Sequence, residues 1–159
     1  MKMRIGFGFD VHQLQDGIDF WLGGIIVPHH KGGLGHSDAD VLVHSICDAL
    51  LGAANMGDIG KHFPDTSSDY KGIDSKILLK EVVKLISKKG YSIGNIDSTI
   101  CLQKPKIGPY ISDMQNVLAR CMDINTEDIS IKATTTENLS FVGREEGVSA
   151  YATVLINKT

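Results

Sequence analysis

Residues 3–12, MRIGFGFDVH, alternate with a period of two. Ile5, Phe7, Phe9 and Val11 fall on one side; Arg4, Gly6, Gly8, Asp10 and His12 fall on the other. An extended strand turns such an alternation into two chemically distinct faces. Asp10 and His12 therefore project from one face, and Gly6 and Gly8 leave room beside them. Taken alone, D-x-H is a weak signal, and a polar, surface-facing strand end accounts for it equally well.

The remaining chain reads as alternating punctuation and periodic segments. FWLGGIIV (20–27) predicts one or two short strands, and PHHKGGLGHS (28–37) a loop. A helix follows over roughly 39–54, with Ser37 or Asp38 as its cap. Ser37-x-x-Asp40 resembles a capping box with Asp in place of Glu. Residues 55–72 form a long irregular connection, the kind that is often functional. Further helices are expected over roughly 73–89, ending at Gly90, and 109–122, and strands within 91–103, 129–136 and 148–156. This order predicts an α+β fold, a two-layer sandwich with helices packed on one face of a mixed sheet. No repeat, low-complexity tract or linker interrupts it, so residues 1–159 read as one domain.

The first helix carries the second chemical signal. Asp40, His44 and Asp48 are spaced i, i+4, i+8 and form one stripe at about 100° per residue. Leu42, Val43, Ile46, Ala49, Leu50 and Ala53 form an apolar face centred nearly opposite His44, so His44 is expected off the core. On this helix alone an ordinary surface histidine remains the simpler account. Asp40 or Asp48 could support its second ring nitrogen. Cys47, next to this stripe, would compete as a ligand only if it turned outward. Together Asp10, His12 and His44 make an Asp/His/His set. Imidazole and carboxylate suit a borderline cation such as zinc, and three protein ligands leave one position open.

The third segment is KATTTENLSFVGR (132–144). Thr hydroxyls and backbone N–H groups at a strand end are good phosphate partners, although a Thr run also follows from β propensity alone. Glu137 beside phosphate binders is repulsive unless a cation bridges them, which favours a second, hard metal such as Mg²⁺ or Mn²⁺.

Composition closes off other classes. The chain has 159 residues and a formal net charge of −3, and its Lys and Arg residues are scattered apart from Lys88-Lys89. That balance gives no general electrostatic attraction to nucleic acid or an anionic membrane and leaves only a local basic patch open. No apolar run approaches the roughly 20 residues of a membrane span, and MKMRIGFGF lacks the features of a signal peptide. A cytoplasmic protein is expected. Cys47, Cys101 and Cys121 form no C-x-x-C pair and are expected as buried, reduced thiols. Spacing alone predicts a metal-dependent enzyme acting on a phosphorylated substrate.

GFDVH, GHSDADVLVHSICDALLGAANMGDIGKHFPDT and IKATTTENLSFVGR together resemble the hallmarks of the 2-C-methyl-D-erythritol 2,4-cyclodiphosphate synthases, enzymes of the non-mevalonate isoprenoid pathway. The resemblance covers essentially the whole chain. It implies a homotrimer with active sites between neighbouring subunits, and zinc held by Asp10, His12 and His44. It implies that 4-diphosphocytidyl-2-C-methyl-D-erythritol 2-phosphate cyclises with loss of CMP. His36 and Thr135 would stabilise the transition state, and Glu137 would serve the Mg²⁺ or Mn²⁺. Asp10, His12, His36 and Ser37 would lie near the phosphates. Asp58, Ile59, Gly60, Phe63, Pro64, Asp65, Thr66 and Ser67 would hold the erythritol part. Leu102, Gln103, Lys104, Pro105, Lys106, Ile107 and Gly108, with Thr134, Thr135, Thr136 and Glu137, would frame cytosine and its phosphates. Phe9, Phe141 and Arg144 resemble residues lining an axial cavity that can hold an isoprenoid diphosphate.

This chain departs from the family pattern at a few positions. Ser67 replaces the final Asp of the usual FPDTD, and Leu102 stands where Ala precedes Gln103. Val142 replaces the Thr of F-T-G-R, and Tyr151 stands where many members carry an axial Glu. Two other readings stay open on the ligand set: a zinc-dependent phosphohydrolase using metal-bound water, and an isoprenoid-binding oligomer with structural zinc.

Overall fold

The computed structural model describes residues 2–159. In chain order the elements are β1 (Met3–Asp16), β2 (Phe20–Leu22), β3 (Ile25–Val27), β4 (Lys31–Leu34), α1 (Val41–Ala53), the single turn α2 (Ile59–His62), α3 (Ser75–Lys88), β5 (Tyr91–Cys101), α4 (Ile111–Met122), β6 (Ile129–Thr134), the single turn α5 (Ser140–Gly143) and β7 (Gly147–Lys158). Five strands form a mixed sheet in the order β4-β1-β7-β5-β6. Only β5 and β6 run parallel, with α4 as the crossover between them; the other pairs are antiparallel. β2 and β3 make a separate hairpin that turns at Gly23 and Gly24, both at positive φ.

The long helices cover one face of the sheet. α1 lies against β1 and β7, α3 packs on α1 and β5, and α4 reaches β6. Leu42, Ile46 and Leu50 of α1 meet Ile96 and Ile100 of β5 and Leu79 and Ile86 of α3 in the fully buried core. This is the expected α+β sandwich. The opposite face of β1 is bare: Ile5, Phe7, Phe9 and Val11 are all exposed, next to Tyr151 of β7.

Gly6 and Gly8 explain how α1 comes so close to β1. A Cβ at Gly6 would lie 1.9 Å from the Ala49 carbonyl oxygen, and one at Gly8 1.9 Å from that of Ser45. The room beside Asp10 and His12 is therefore filled by helix backbone. That contact carries His44 to the end of β1.

Several local expectations are corrected. The expected loop 28–37 contains β4, because Gly32 and Gly33 let that segment pair with the continued β1 at Gln15 and Leu14. The cap of α1 is neither Ser37 nor Asp38. It is Asp40, whose carboxylate accepts from the Val43 N–H at 3.1 Å. The capping-box pattern fails because Asp40 is also taken by the hairpin, accepting from the Gly23 and Gly24 N–H groups at 2.9 and 2.7 Å. The irregular 55–72 stretch holds α2 and a 3₁₀ turn at Ser68–Tyr70. The expected helix at 109–122 begins with a 3₁₀ turn, Gly108–Tyr110, in front of α4. Of the three thiols, Cys47 is buried while Cys101 and Cys121 are half-buried.

Candidate metal centre and active-site cavity

Asp10 and His12 come from the end of the β1 stretch that pairs with β7, and His44 from the first turn of α1 after its cap. His12 Nε2 and His44 Nδ1 lie 2.9 and 3.0 Å from Asp10 Oδ2, and 3.1 Å from each other. The three donor atoms all fall within 4.8 Å of one another. One carboxylate oxygen and two imidazole nitrogens at that spacing fit a borderline divalent cation with one coordination position left over. Cys47 does not join them: it is fully buried, and burial pushes its thiol well up.

His44 is not the surface residue its helical wheel suggests. It is 6% exposed, because α1 is buried on nearly every side. Leu51, Val41 and Cys47 lie outside the apolar stripe and are buried as well, since α3, α2 and β2 also pack on the helix. Nor do Asp40 and Asp48 support the ring. Asp40 is spent on the hairpin and the cap, and Asp48 accepts from the Ile59 N–H at 2.8 Å. The second nitrogen of His44, Nε2, instead meets Ser75 Oγ at 2.9 Å and Ser37 Oγ at 3.1 Å. Neither partner was foreseen: Asp74-Ser75 reads in the sequence as no more than a helix start.

Electrostatics bind the set together. Burial pushes the Asp10 carboxyl up, but hydrogen bonds with His12 and His44 outweigh it and hold the group down at about 2. Burial favours neutral His44, yet its hydrogen bond with Asp10 and that carboxylate's charge lift the ring above its ordinary value.

A cavity of about 350 Å³ opens beside this centre. It takes in Asp10, His12, His36, Ser37, His44, Ile59, Gly60, Phe63 and Asp65 from the expected set, with Tyr70, Ile73 and Leu78 added. Asp58 acts at its margin as the cap of α2, accepting from the Lys61 N–H at 3.0 Å. The Ser67 carbonyl lies 3.2 Å from His36 Nε2, which ties this position to the cavity. Pro64 and Thr66 lie outside the lining.

A second cavity, about 370 Å³, lies between Leu102–Gly108 and Thr134–Thr135. Leu102, Gln103, Pro105, Lys106, Ile107, Gly108, Thr134 and Thr135 all line it. Lys104 turns away to pair with Glu145 at 3.3 Å. Thr136 bonds the Leu139 carbonyl, and Glu137 is exposed. The two cavities share no lining residue, so His36 and Thr135 are not brought together within one chain. Arg144, expected in an axial cavity, is paired with Glu146 at 3.0 and 3.1 Å. No described helix is long and apolar enough to cross a membrane.

A model of the YgbB family matches residues 3–157. The 2-C-methyl-D-erythritol 2,4-cyclodiphosphate synthase of Bacteroides fragilis is 69% identical over 158 residues, which is 99% of this chain and 99% of that protein. Among solved structures, a 2C-methyl-D-erythritol-2,4-cyclodiphosphate synthase in a CDP-bound form matches with a TM-score of 0.90 at 35% identity, over 97% of this chain and 100% of that one. The bifunctional IspDF from Campylobacter jejuni matches with a TM-score of 0.96 at 38% identity, over 99% of this chain. This chain spans 43% of that bifunctional protein.

Proposed function

The chain belongs to the YgbB family, that of the 2-C-methyl-D-erythritol 2,4-cyclodiphosphate synthases, and on that footing we propose that it converts 4-diphosphocytidyl-2-C-methyl-D-erythritol 2-phosphate into 2-C-methyl-D-erythritol 2,4-cyclodiphosphate and CMP. The observation that carries this reading is the convergence of Asp10, His12 and His44 at a cavity that also holds His36, Ser37 and Asp65. In the reaction the substrate's own 2-phosphate oxygen bonds to the β-phosphorus. The bond from that phosphorus to the bridging oxygen breaks, and the electron pair leaves with CMP. No protein nucleophile is required, so the residues contribute position and electrostatics.

Asp10, His12 and His44 are the residues to hold zinc. Glu137, with the phosphates themselves, would hold Mg²⁺ or Mn²⁺, since such hard ions bind through one or two carboxylates and phosphate oxygens. When bound, these cations orient and polarise the β-phosphate and offset charge on the α- and β-phosphates. His36 and Thr135 would donate to the oxygens that gain charge in the transition state. Asp58, capping α2, would accept from the erythritol hydroxyls, and Phe63 would pack on its carbon chain. The Leu102–Gly108 backbone would read cytosine.

Residues 1–159 act in this reading as one domain in the cytoplasm, assembled as a homotrimer. The bare apolar face of Ile5, Phe7, Phe9, Val11 and Tyr151 supports self-association, because patches of this kind usually mark interfaces. The separation of the two cavities supports a site completed by a neighbour. An isoprenoid diphosphate on the trimer axis, near Phe9, Phe141 and Arg144, belongs to the same reading.

The test is direct. Purified chain with zinc and Mg²⁺ is given the cytidylated substrate, and products are followed by phosphorus NMR. Two coupled diphosphate resonances of a cyclic product, with equimolar CMP, are expected. Release of free phosphate without cyclic product would instead identify a metal-dependent phosphohydrolase.

A further inference from the structure

His12 and His44 each turn one ring nitrogen to the common centre and the other into the protein. For His12 the second nitrogen, Nδ1, lies 3.2 Å from the Leu34 carbonyl oxygen. A carbonyl can only accept, so Nδ1 carries the proton and Nε2 is the lone-pair donor.

His44 has no such simple partner. Its Nε2 faces two hydroxyls, each able to donate or accept. The tautomer therefore depends on where the hydroxyl protons go. Ser75 Oγ donates to Asp38 Oδ1, and the Ser75 N–H donates to Asp38 Oδ2 at 2.9 Å. With its proton committed to the Asp38 carboxylate, Ser75 presents only lone pairs to the ring. An unprotonated Nε2 would meet them head-on at 2.9 Å, whereas Nε2–H donates into them.

Ser37 alone could favour the other tautomer, since its oxygen accepts from the Ala39 N–H while its own proton is uncommitted. It is the longer contact, 3.1 Å, and it is half-buried on a loop. Ser75 is fully buried as the first residue of α3. Asp38 is fixed too, because its Oδ1 also accepts from the Asp40 N–H at 3.2 Å. The buried, doubly anchored partner decides the proton's place.

We propose that Ser75, held by Asp38, is a positioning residue that fixes the His44 ring as the Nε2–H tautomer and so offers the Nδ1 lone pair to the metal. The inference rests on the metal-centre reading given above. It makes the junction of two helices part of the centre: α1 supplies the ligand, and the first residue of α3 sets its proton. Outer partners of ligating histidines act in this way, and their loss typically weakens metal binding about 10–100-fold.

The test is zinc affinity, measured by competition with a chromogenic chelator at fixed pH. Ser75→Ala is expected to bind zinc about 10–100-fold more weakly than wild type. Ser75→Thr, which keeps the hydroxyl, is expected to recover most of that loss. A cooperatively melting Ser75→Ala variant with wild-type zinc affinity would overturn the proposal. The wild-type chain provides a second measurement that needs no variant to fold. Long-range ¹H–¹⁵N spectra of ¹⁵N-histidine protein should show a protonated His44 Nε2 with zinc bound and also with zinc removed, the latter recorded at a pH alkaline enough for the ring to be neutral. An unprotonated Nε2 in either state overturns the proposal. A wild-type chain that takes up no zinc at all sinks the metal reading itself, an outcome distinct from a zinc-binding chain indifferent to Ser75.

Discussion

Asp10 and His44 titrate against each other's charge. Asp10 is held at about 2, below its ordinary 3.8, because hydrogen bonds with the two imidazoles overcome its burial. His44 lies above its ordinary 6.5 despite burial, because Asp10 sits 3.0 Å away. In the metal-free protein, at a pH between about 2 and 6.5, the proton therefore belongs to His44 and not to Asp10. Zinc must displace it. Calorimetric titration below pH 6.5, in buffers of different ionisation enthalpy, should show proton release as zinc binds. An enthalpy independent of buffer would mean that His44 is already deprotonated. Stability of the metal-free chain follows the same groups with opposite signs. The Asp10 contribution is present above 3.8 and lost as pH falls through about 2. The His44 contribution is present below 6.5 and lost as pH rises through its elevated folded value. Thermal melts across pH should therefore show an acid limb between about 4 and 2, and a second decline on the alkaline side of 6.5.

α1 is the element on which the centre depends. Its stripe of Asp40, His44 and Asp48 is distributed among four neighbours. Asp40 holds the β2–β3 hairpin, His44 meets β1 and α3, and Asp48 holds the start of α2. A polar stripe that would ordinarily be solvated is instead the set of joints between a buried helix and its surroundings. The helix can sit there only because β1 is bare of side chains at Gly6 and Gly8. Gly8→Ala places a Cβ 1.9 Å from the Ser45 carbonyl oxygen, and backbone on both sides must yield. Overpacking of this kind costs about 1–3 kcal/mol, or a fall in Tm of roughly 2–12 °C at this chain length. Displacing α1 from β1 also separates His44 from Asp10 and His12. Zinc content by elemental analysis should drop in the folded variant. Unchanged melting and full zinc would show that the contact between glycine and helix is not what sets the centre.

At the scale of the molecule, the two cavities pose the question of assembly. In the proposed trimer one heterologous interface is used three times, and each use brings a metal half to a cytidine half. His12→Ala removes a ligand that is less buried than His44, and so disturbs the core less. Lys106→Ala with Gly108→Asp spoils the other cavity; a Cβ at Gly108 meets open space, so that chain should fold. Each variant alone should be inactive. Unfolded and refolded together, they should regain part of the activity, because some interfaces pair two intact halves. Mixed trimers verified by mass spectrometry but showing no rescue would place each site within one chain. The exposed β1 face makes a companion prediction. Phe7→Lys should lower the oligomeric state in sedimentation and lower activity with it, while zinc stays bound, because Phe7 lies on the sheet face opposite the ligands.

Much was legible before any coordinates. Period-two alternation located β1 and set Asp10 and His12 on one face, because strand geometry is local. Helical spacing located α1 and put Asp40, His44 and Asp48 in line for the same reason. The Asp/His/His set followed from residue chemistry alone. What could not be read was everything that depends on neighbours distant in the chain. The helical wheel put His44 outside the core, since it cannot know that α3, α2 and β2 pack around α1 as well as the sheet. β4 hid in a glycine-rich loop because its strand character comes from pairing with β1. Ser75 is 31 residues from His44 and Asp38 is 37 from Ser75, and nothing in their local sequence announces the bonds between them. Local periodicity thus determined which residues share a face. Only tertiary packing decided which faces are buried, and which two hydroxyls meet the second nitrogen of the His44 ring.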